Sequence, residues 1–103
     1  MKPMRMGKNT GLVRRIDKEG RITIPENLCQ TYQLEVGESV KLCPCGNTII
    51  ICNKREDYIH DFMKLMPRNR RITFPKAMLE DARLSYGDEV KFYALSNGIS
   101  IGK

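Results

Sequence analysis

Arg21-Ile22-Thr23-Ile24-Pro25 is repeated fifty residues later as Arg71-Ile72-Thr73-Phe74-Pro75, and that repetition decides how the chain is read. The register holds without a gap to the C-terminal residue: Leu34 matches Leu84, Gly37 matches Gly87, Val40-Lys41 matches Val90-Lys91, and Ile49 and Ile51 match Ile99 and Ile101. From Arg21 to Asn53, 11 of 33 positions equal the partner fifty residues on, too many in one register for chance. Inside the repeated string Arg, Ile, Thr and Ile alternate with a period of two and are rich in β-branched side chains, which predicts a strand. Pro25 and Pro75 end that strand and suit the start of a helix, where the missing N–H costs nothing.

Working outward, the first unit reads strand, strand, short helix, strand, strand. Residues 11–16 form the first strand and Asp17-Lys18-Glu19-Gly20 a turn, so that Arg21–Ile24 is the second arm of a hairpin. Residues 26–32 make a short helix with Leu28, Tyr32 and Cys29 inward, and residues 40–45 and 48–52 a hairpin around Gly46-Asn47. The second unit repeats this with strands at 62–66, 71–74, 90–95 and 99–101 and a helix at 75–83. Asn97-Gly98 carries the pattern of a type I′ turn. The domain reading is a flexible basic arm at 1–10, a first repeat at 11–53, a charged linker at 54–61 and a second repeat at 62–103.

Each unit of roughly 45 residues is near the size at which a core is marginal, so in a chain of 103 residues the halves are expected to pack on each other. No apolar run reaches the length of a membrane span and no signal-peptide core is present. Trp is absent and aromatics make up 7%, which argues against a carbohydrate platform or a single-strand stacking surface. The net charge of +6 is unevenly placed: residues 1–21 and 64–76 hold 12 of the 18 bases and only 2 of the 12 acids. A localised positive face points to a polyanion, most simply nucleic acid; the plain alternative is a solvated face kept for solubility.

The run Thr10-Gly11-Leu12-Val13-Arg14-Arg15-Ile16-Asp17-Lys18-Glu19-Gly20-Arg21-Ile22-Thr23-Ile24-Pro25, followed by Leu28 and Leu34-x-x-Gly37-Glu38-x-Val40, resembles the SpoVT/AbrB family of DNA-binding proteins. The second unit carries the same frame more loosely. The resemblance implies a mainly β fold, a swapped-hairpin AbrB-like β-barrel in which two ββαββ repeats with short helices interleave as an intramolecular pseudo-dimer. It also implies a cytoplasmic, duplex-DNA-binding transcriptional regulator of bacterial or archaeal type, with no cofactor and no catalytic residue, and with further homo-oligomerisation open. Interleaving removes open sheet edges, and a linker of eight residues spans up to ~26 Å.

Family basic residues of the first hairpin face DNA. Carried to matching positions these are Arg14 and Arg21, with Lys64 and Arg71 in the second unit; Arg15, Lys18, Arg68 and Arg70 lie on the same strands and turns. The Arg-Arg pair that family members often carry early in the short helix reads Cys29-Gln30 and Leu79-Glu80 here. A guanidinium fork binds phosphate bidentately and reads guanine edges. The plain alternative for Arg21 and Arg71 is pairing with rim carboxylates. The alternative function is an antitoxin-like interaction protein that binds a toxin and autoregulates its operon; the sequence runs only to Lys103, so no toxin-binding tail is expected.

Four cysteines, Cys29, Cys43, Cys45 and Cys52, all fall in the first unit. Buried small hydrophobic residues in a reducing compartment is the favoured reading. Metal or redox sensing by Cys43, Cys45 and Cys52 is the other, against which stands a Cys-x-Cys spacing that is not the usual zinc pattern. His60 is alone in the linker with no paired nucleophile, so no enzyme is expected.

Overall fold

The computed structural model describes residues 7–56 and 62–103. It is mainly β, with ten elements: β1 (Lys8–Arg15), β2 (Arg21–Thr23), α1 (Glu26–Thr31), β3 (Ser39–Cys45), β4 (Thr48–Asn53), β5 (Phe62–Leu65), β6 (Arg71–Thr73), α2 (Lys76–Asp81), β7 (Glu89–Ala94) and β8 (Ile99–Gly102). Six strands form one antiparallel sheet in the order β1-β7-β8-β4-β3-β5, and β2 with β6 forms a separate two-stranded ribbon.

The strand order reads the same from either end once each strand is exchanged for its repeat partner. β1 of the first half pairs with β7 of the second, β5 of the second pairs with β3 of the first, and β4 meets β8 at the centre. The halves therefore share every layer, as expected of units too small to close a core alone. Backbone bonds outside the ladders repeat the symmetry. Gly87 N–H donates to Ile16 O at 2.7 Å and Gly37 N–H to Met66 O at 2.9 Å, while Phe74 N–H donates to Gly20 O at 3.0 Å and Ile24 N–H to Arg70 O at 2.8 Å.

Two expectations are corrected. β2 is not the second arm of a hairpin with β1, nor β6 with β5. Across the first turn Asp17 N–H reaches Arg21 O at 3.0 Å, but the ladder partner of β2 is β6, with Ile22 opposite Ile72. Burial is the reason: Ile22 and Ile24 are fully enclosed, which requires β2 to lie over the core, while the edge of β1 is taken by β7. The second correction is that the sheet is not a closed barrel. β1 and β5 are its two edges and do not pair with each other, and the ribbon stays a separate layer over its face.

Smaller departures have local causes. Lys8–Thr10, assigned to a flexible arm, belong to β1, where Lys8 faces Ala94, Thr10 Oγ1 donates to Phe92 O at 2.8 Å, and Gly11 takes φ 83° at a register shift. Residues 1–6 of that arm, and 57–61 of the linker with His60, lie outside the described residues. α2 stops at Asp81 because Arg83 turns left-handed at φ 61° and Leu84 N–H bonds Leu79 O; α1 ends identically at Gln33, φ 57°. Asn97-Gly98 is not a type I′ turn, since neither residue has positive φ. Gly98 is required there for space: a Cβ would meet Ile51 O at 2.9 Å and Cys52 Cβ at 3.1 Å.

One core joins the sheet to the ribbon and helices. Val40, Leu42, Ile49 and Ile51 with their counterparts Val90, Phe92, Ile99 and Ile101 line the inner face of the sheet. Ile22, Ile24, Ile72 and Phe74 come from the ribbon and the residues after it, Leu28, Cys29, Met78, Leu79 and Ala82 from the helical turns. Nearly every core residue has a core residue fifty positions away, which is why the repeat survives best at apolar positions. A second, smaller cluster of Cys43, Ile50 and Cys52, with Cys45 and Leu95 against it, lies on the opposite face.

Candidate nucleic-acid interface

In an antiparallel pair, directly opposed residues share a face. Ile22 and Ile72 face the core, so the neighbouring pairs Arg21–Thr73 and Thr23–Arg71 face outward. The outer face of the ribbon is thus two arginines on one diagonal and two threonines on the other, about a local twofold through Ile22–Ile72. Arg71 Nε donates to Thr23 Oγ1 at 3.3 Å. Thr23 and Thr73 escaped the sequence reading, although the period of two that placed Arg21 outward also places Thr23 there.

Beside the ribbon is an open cleft of about 260 Å³, lined by Arg21, Lys64, Arg71, Asn69 and Thr73 among others. Three of the eight expected residues thus meet in one concavity. Lys64 reaches it from edge strand β5, with its ammonium 5.7 Å from the centroid of the Phe62 ring. That contact sets the ammonium over the ring face, whose negative quadrupole attracts it. Lys64 stands opposite Val40, and its counterpart Arg14 opposite Val90 on the other edge strand.

The remaining five are spread around this centre. Arg14 is exposed and donates to Val13 O. Arg15 is committed to the fold, its Nη1 bonding Gly87 O at 2.7 Å where β1 joins the turn before β7. Lys18 and Arg68 sit exposed in the two equivalent turns. Arg70 takes φ 58°, the left-handed conformation that Gly20 adopts in the first repeat, and its Nε reaches Ile24 O at 3.3 Å.

The two arginines of the ribbon differ sharply in surroundings. Arg21 is clamped by Asp17 at 2.7 Å and Glu19 at 3.0 Å, so here the rim-carboxylate alternative holds. Asp17 also accepts the N–H groups of Glu19 and Arg21. Desolvation pulls its carboxyl upward, but hydrogen bonds from the Arg21 backbone and guanidinium and from Glu19 N–H leave it below its ordinary value. The hydrogen bond to Asp17 in turn raises Arg21. At the equivalent positions of the second repeat stand Pro67 and Asn69. Asn69 Oδ1 accepts Arg71 N–H at 3.0 Å, keeping the turn without the charge. Among the described residues no carboxylate lies within ion-pair distance of Arg71.

Cys43, Cys45 and Cys52 belong to the small cluster on the opposite face of the sheet, and none of the four cysteines forms a disulfide. Cys52 is pushed up to about 12, first by burial and then by the neighbouring Cys43, the environment of an unreactive thiol. Burial likewise raises Cys29. Among the described residues no group of three or more His, Cys, Asp or Glu is placed to hold a metal ion. No described helix is long and apolar enough to cross a membrane.

No protein-family model matches the chain, and no curated protein matches it. Among solved structures the chain is similar in fold to the solution structure of PHS018 from Pyrococcus horikoshii, with a TM-score of 0.53 and 18% identity, covering 95% of this chain and 89% of that one.

Proposed function

We propose that the chain is a duplex-DNA-binding transcriptional regulator of the SpoVT/AbrB type, cytoplasmic and non-enzymatic, whose two repeats interleave as a swapped-hairpin pseudo-dimer with its sheet left open. The observation that carries this reading is the convergence of Arg21, Lys64 and Arg71 on one cleft beside a ribbon with local twofold symmetry. A near-twofold basic surface matches the near-twofold backbone of duplex DNA. Asn69 and Thr73, also in the cleft, supply uncharged hydrogen-bonding groups for phosphate oxygens.

The test is binding of a random-sequence duplex across a salt series. With about six phosphates neutralised, affinity falls ~10³-fold between roughly 50 and 200 mM salt. A response flat in salt, or equal retention on an uncharged matrix, defeats the proposal. A second reading, a protein-binding antitoxin-like module, is favoured by one observation: the edge strand β5 exposes Met63 and Leu65, by 42% and 66%. Co-purification of one small protein that protects β5 from hydrogen exchange would select that reading.

A further inference from the structure

We propose that the two repeats do not share the anion load equally: Arg71 with Lys64 anchors the phosphate, while Arg21 is held back as the counter-ion of its own turn. This inference rests on the DNA-binding reading and assigns roles within that site. The repeat equivalence makes the comparison internal, because Arg21 and Arg71 occupy the same position of the same ribbon, fifty residues apart and across one twofold. The charge that their turns place beside them differs. Asp17 and Glu19 hold Arg21 at 2.7 and 3.0 Å, whereas Pro67 and Asn69 put no charge beside Arg71.

The physical consequence is an unequal cost of capture. A phosphate approaching Arg71 meets a guanidinium whose one side-chain bond among the described residues is a 3.3 Å contact to the Thr23 hydroxyl, easily exchanged for a charged acceptor. A phosphate approaching Arg21 meets two carboxylates already on the fork, and must break those bonds or suffer their repulsion. Lys64 lies in the same cleft and adds a second cation for the anchor. The Asp17 bonds to the backbone of Glu19 and Arg21 mean that the clamp also shapes the turn, so it is not simply released. A site of this kind sits off-centre on DNA and selects an orientation, which an equal pair of arginines cannot do.

The experiment measures binding of the full chain to a 30-base-pair duplex of mixed sequence, over a salt series, with circular dichroism confirming the fold of each variant. Arg71→Ala is expected to weaken binding about tenfold and to lower the salt slope by about one, the signature of one lost phosphate contact. Arg21→Ala is expected to weaken binding by less than Arg71→Ala does, and to lower the salt slope by less. Glu19→Gln, which removes one clamping charge but makes no backbone bond in the turn, is expected to tighten binding severalfold. Asn69→Asp keeps the acceptor for Arg71 N–H, brings a carboxylate to Arg71, and is expected to weaken binding. If Arg21→Ala unfolds the protein, Glu19→Gln and Asn69→Asp decide the matter alone. Equal losses from Arg21→Ala and Arg71→Ala, or no response to both charge changes, overturn the unequal roles and leave DNA binding standing. Failure of the unaltered chain to bind any duplex at low salt overturns the DNA reading itself and this inference with it.

Discussion

Ile22 and Ile72 lie directly opposite each other at the centre of the ribbon, buried to 0% and 1% exposure, so truncating each to Ala tests how the two halves are joined. Each substitution removes three buried carbon atoms from a packed site, a loss of about 2–5 kcal/mol, and we take about 3.5 kcal/mol as the working value. A chain of this length has a total stability of roughly 5–15 kcal/mol, so either variant stays measurable while simple addition of both, about 7 kcal/mol, exceeds the lower end of that range. The two side chains stand side by side on the core face of the ribbon, so their mutual contact is counted in both single losses. The double variant is therefore expected to cost less than the sum by about 0.5–2 kcal/mol. Denaturant titration followed by far-ultraviolet circular dichroism gives the four free energies; the absence of Trp removes the usual fluorescence signal. Additivity within about 0.3 kcal/mol refutes the ribbon pairing, because residues in separate hairpins would not be coupled.

Three further outcomes follow from the geometry. Gly98→Ala is expected to destabilise by about 1–3 kcal/mol, since the added methyl meets the Ile51 carbonyl, which cannot move without disturbing β4; an unchanged melting temperature counts against the close approach. Asp17 and Asp88 both titrate below their ordinary value of 3.8, Asp17 despite desolvation and Asp88 chiefly through the Ser85 N–H. The stability they contribute is thus present above about pH 4 and lost as pH falls through the lowered folded-state values, which a melting series from pH 6 to pH 2 measures. Cys52, at about 12, stays protonated in the folded chain, so iodoacetamide at pH 8 should leave it unlabelled until denaturant is added; rapid native labelling shows that the thiol is not so enclosed.

Most of the fold was legible because the repeat is written in its core. The identical Ile22/Ile72, Val40/Val90 and Ile49/Ile99 pairs and the alternation around them located eight strands and two helices to within a few residues. What the pattern could not supply was partnership. A strand with one inward face reads the same whether its neighbour is the next strand or one from the other half, so the pattern pairs β2 with β1 although its partner is β6. Closure was likewise beyond the residues, since edge pairing of β1 with β5 depends on global curvature. In the site, charge clustering together with the family resemblance singles out Arg21, Lys64 and Arg71 among eight basic residues, but not Thr23, whose outward position only the ribbon pairing makes plain. The clamp on Arg21 was readable in Asp17 and Glu19, but which arginine of the run they would hold depends on how the turn folds.

The pairing of β1 with β7 also sets an order of events for the nascent chain. Thr10 Oγ1 bonds Phe92 O, a contact 82 positions apart in sequence. The first strand therefore leaves the ribosome long before its native neighbour has been synthesised, and until then its edge is open to any extended segment nearby. β3 and β4 can close their local hairpin early, but β1 must wait. The Lys8, Arg14 and Arg15 charges along that waiting strand disfavour its stacking on a second nascent copy, so the basic residues guard the chain before they have any surface to form.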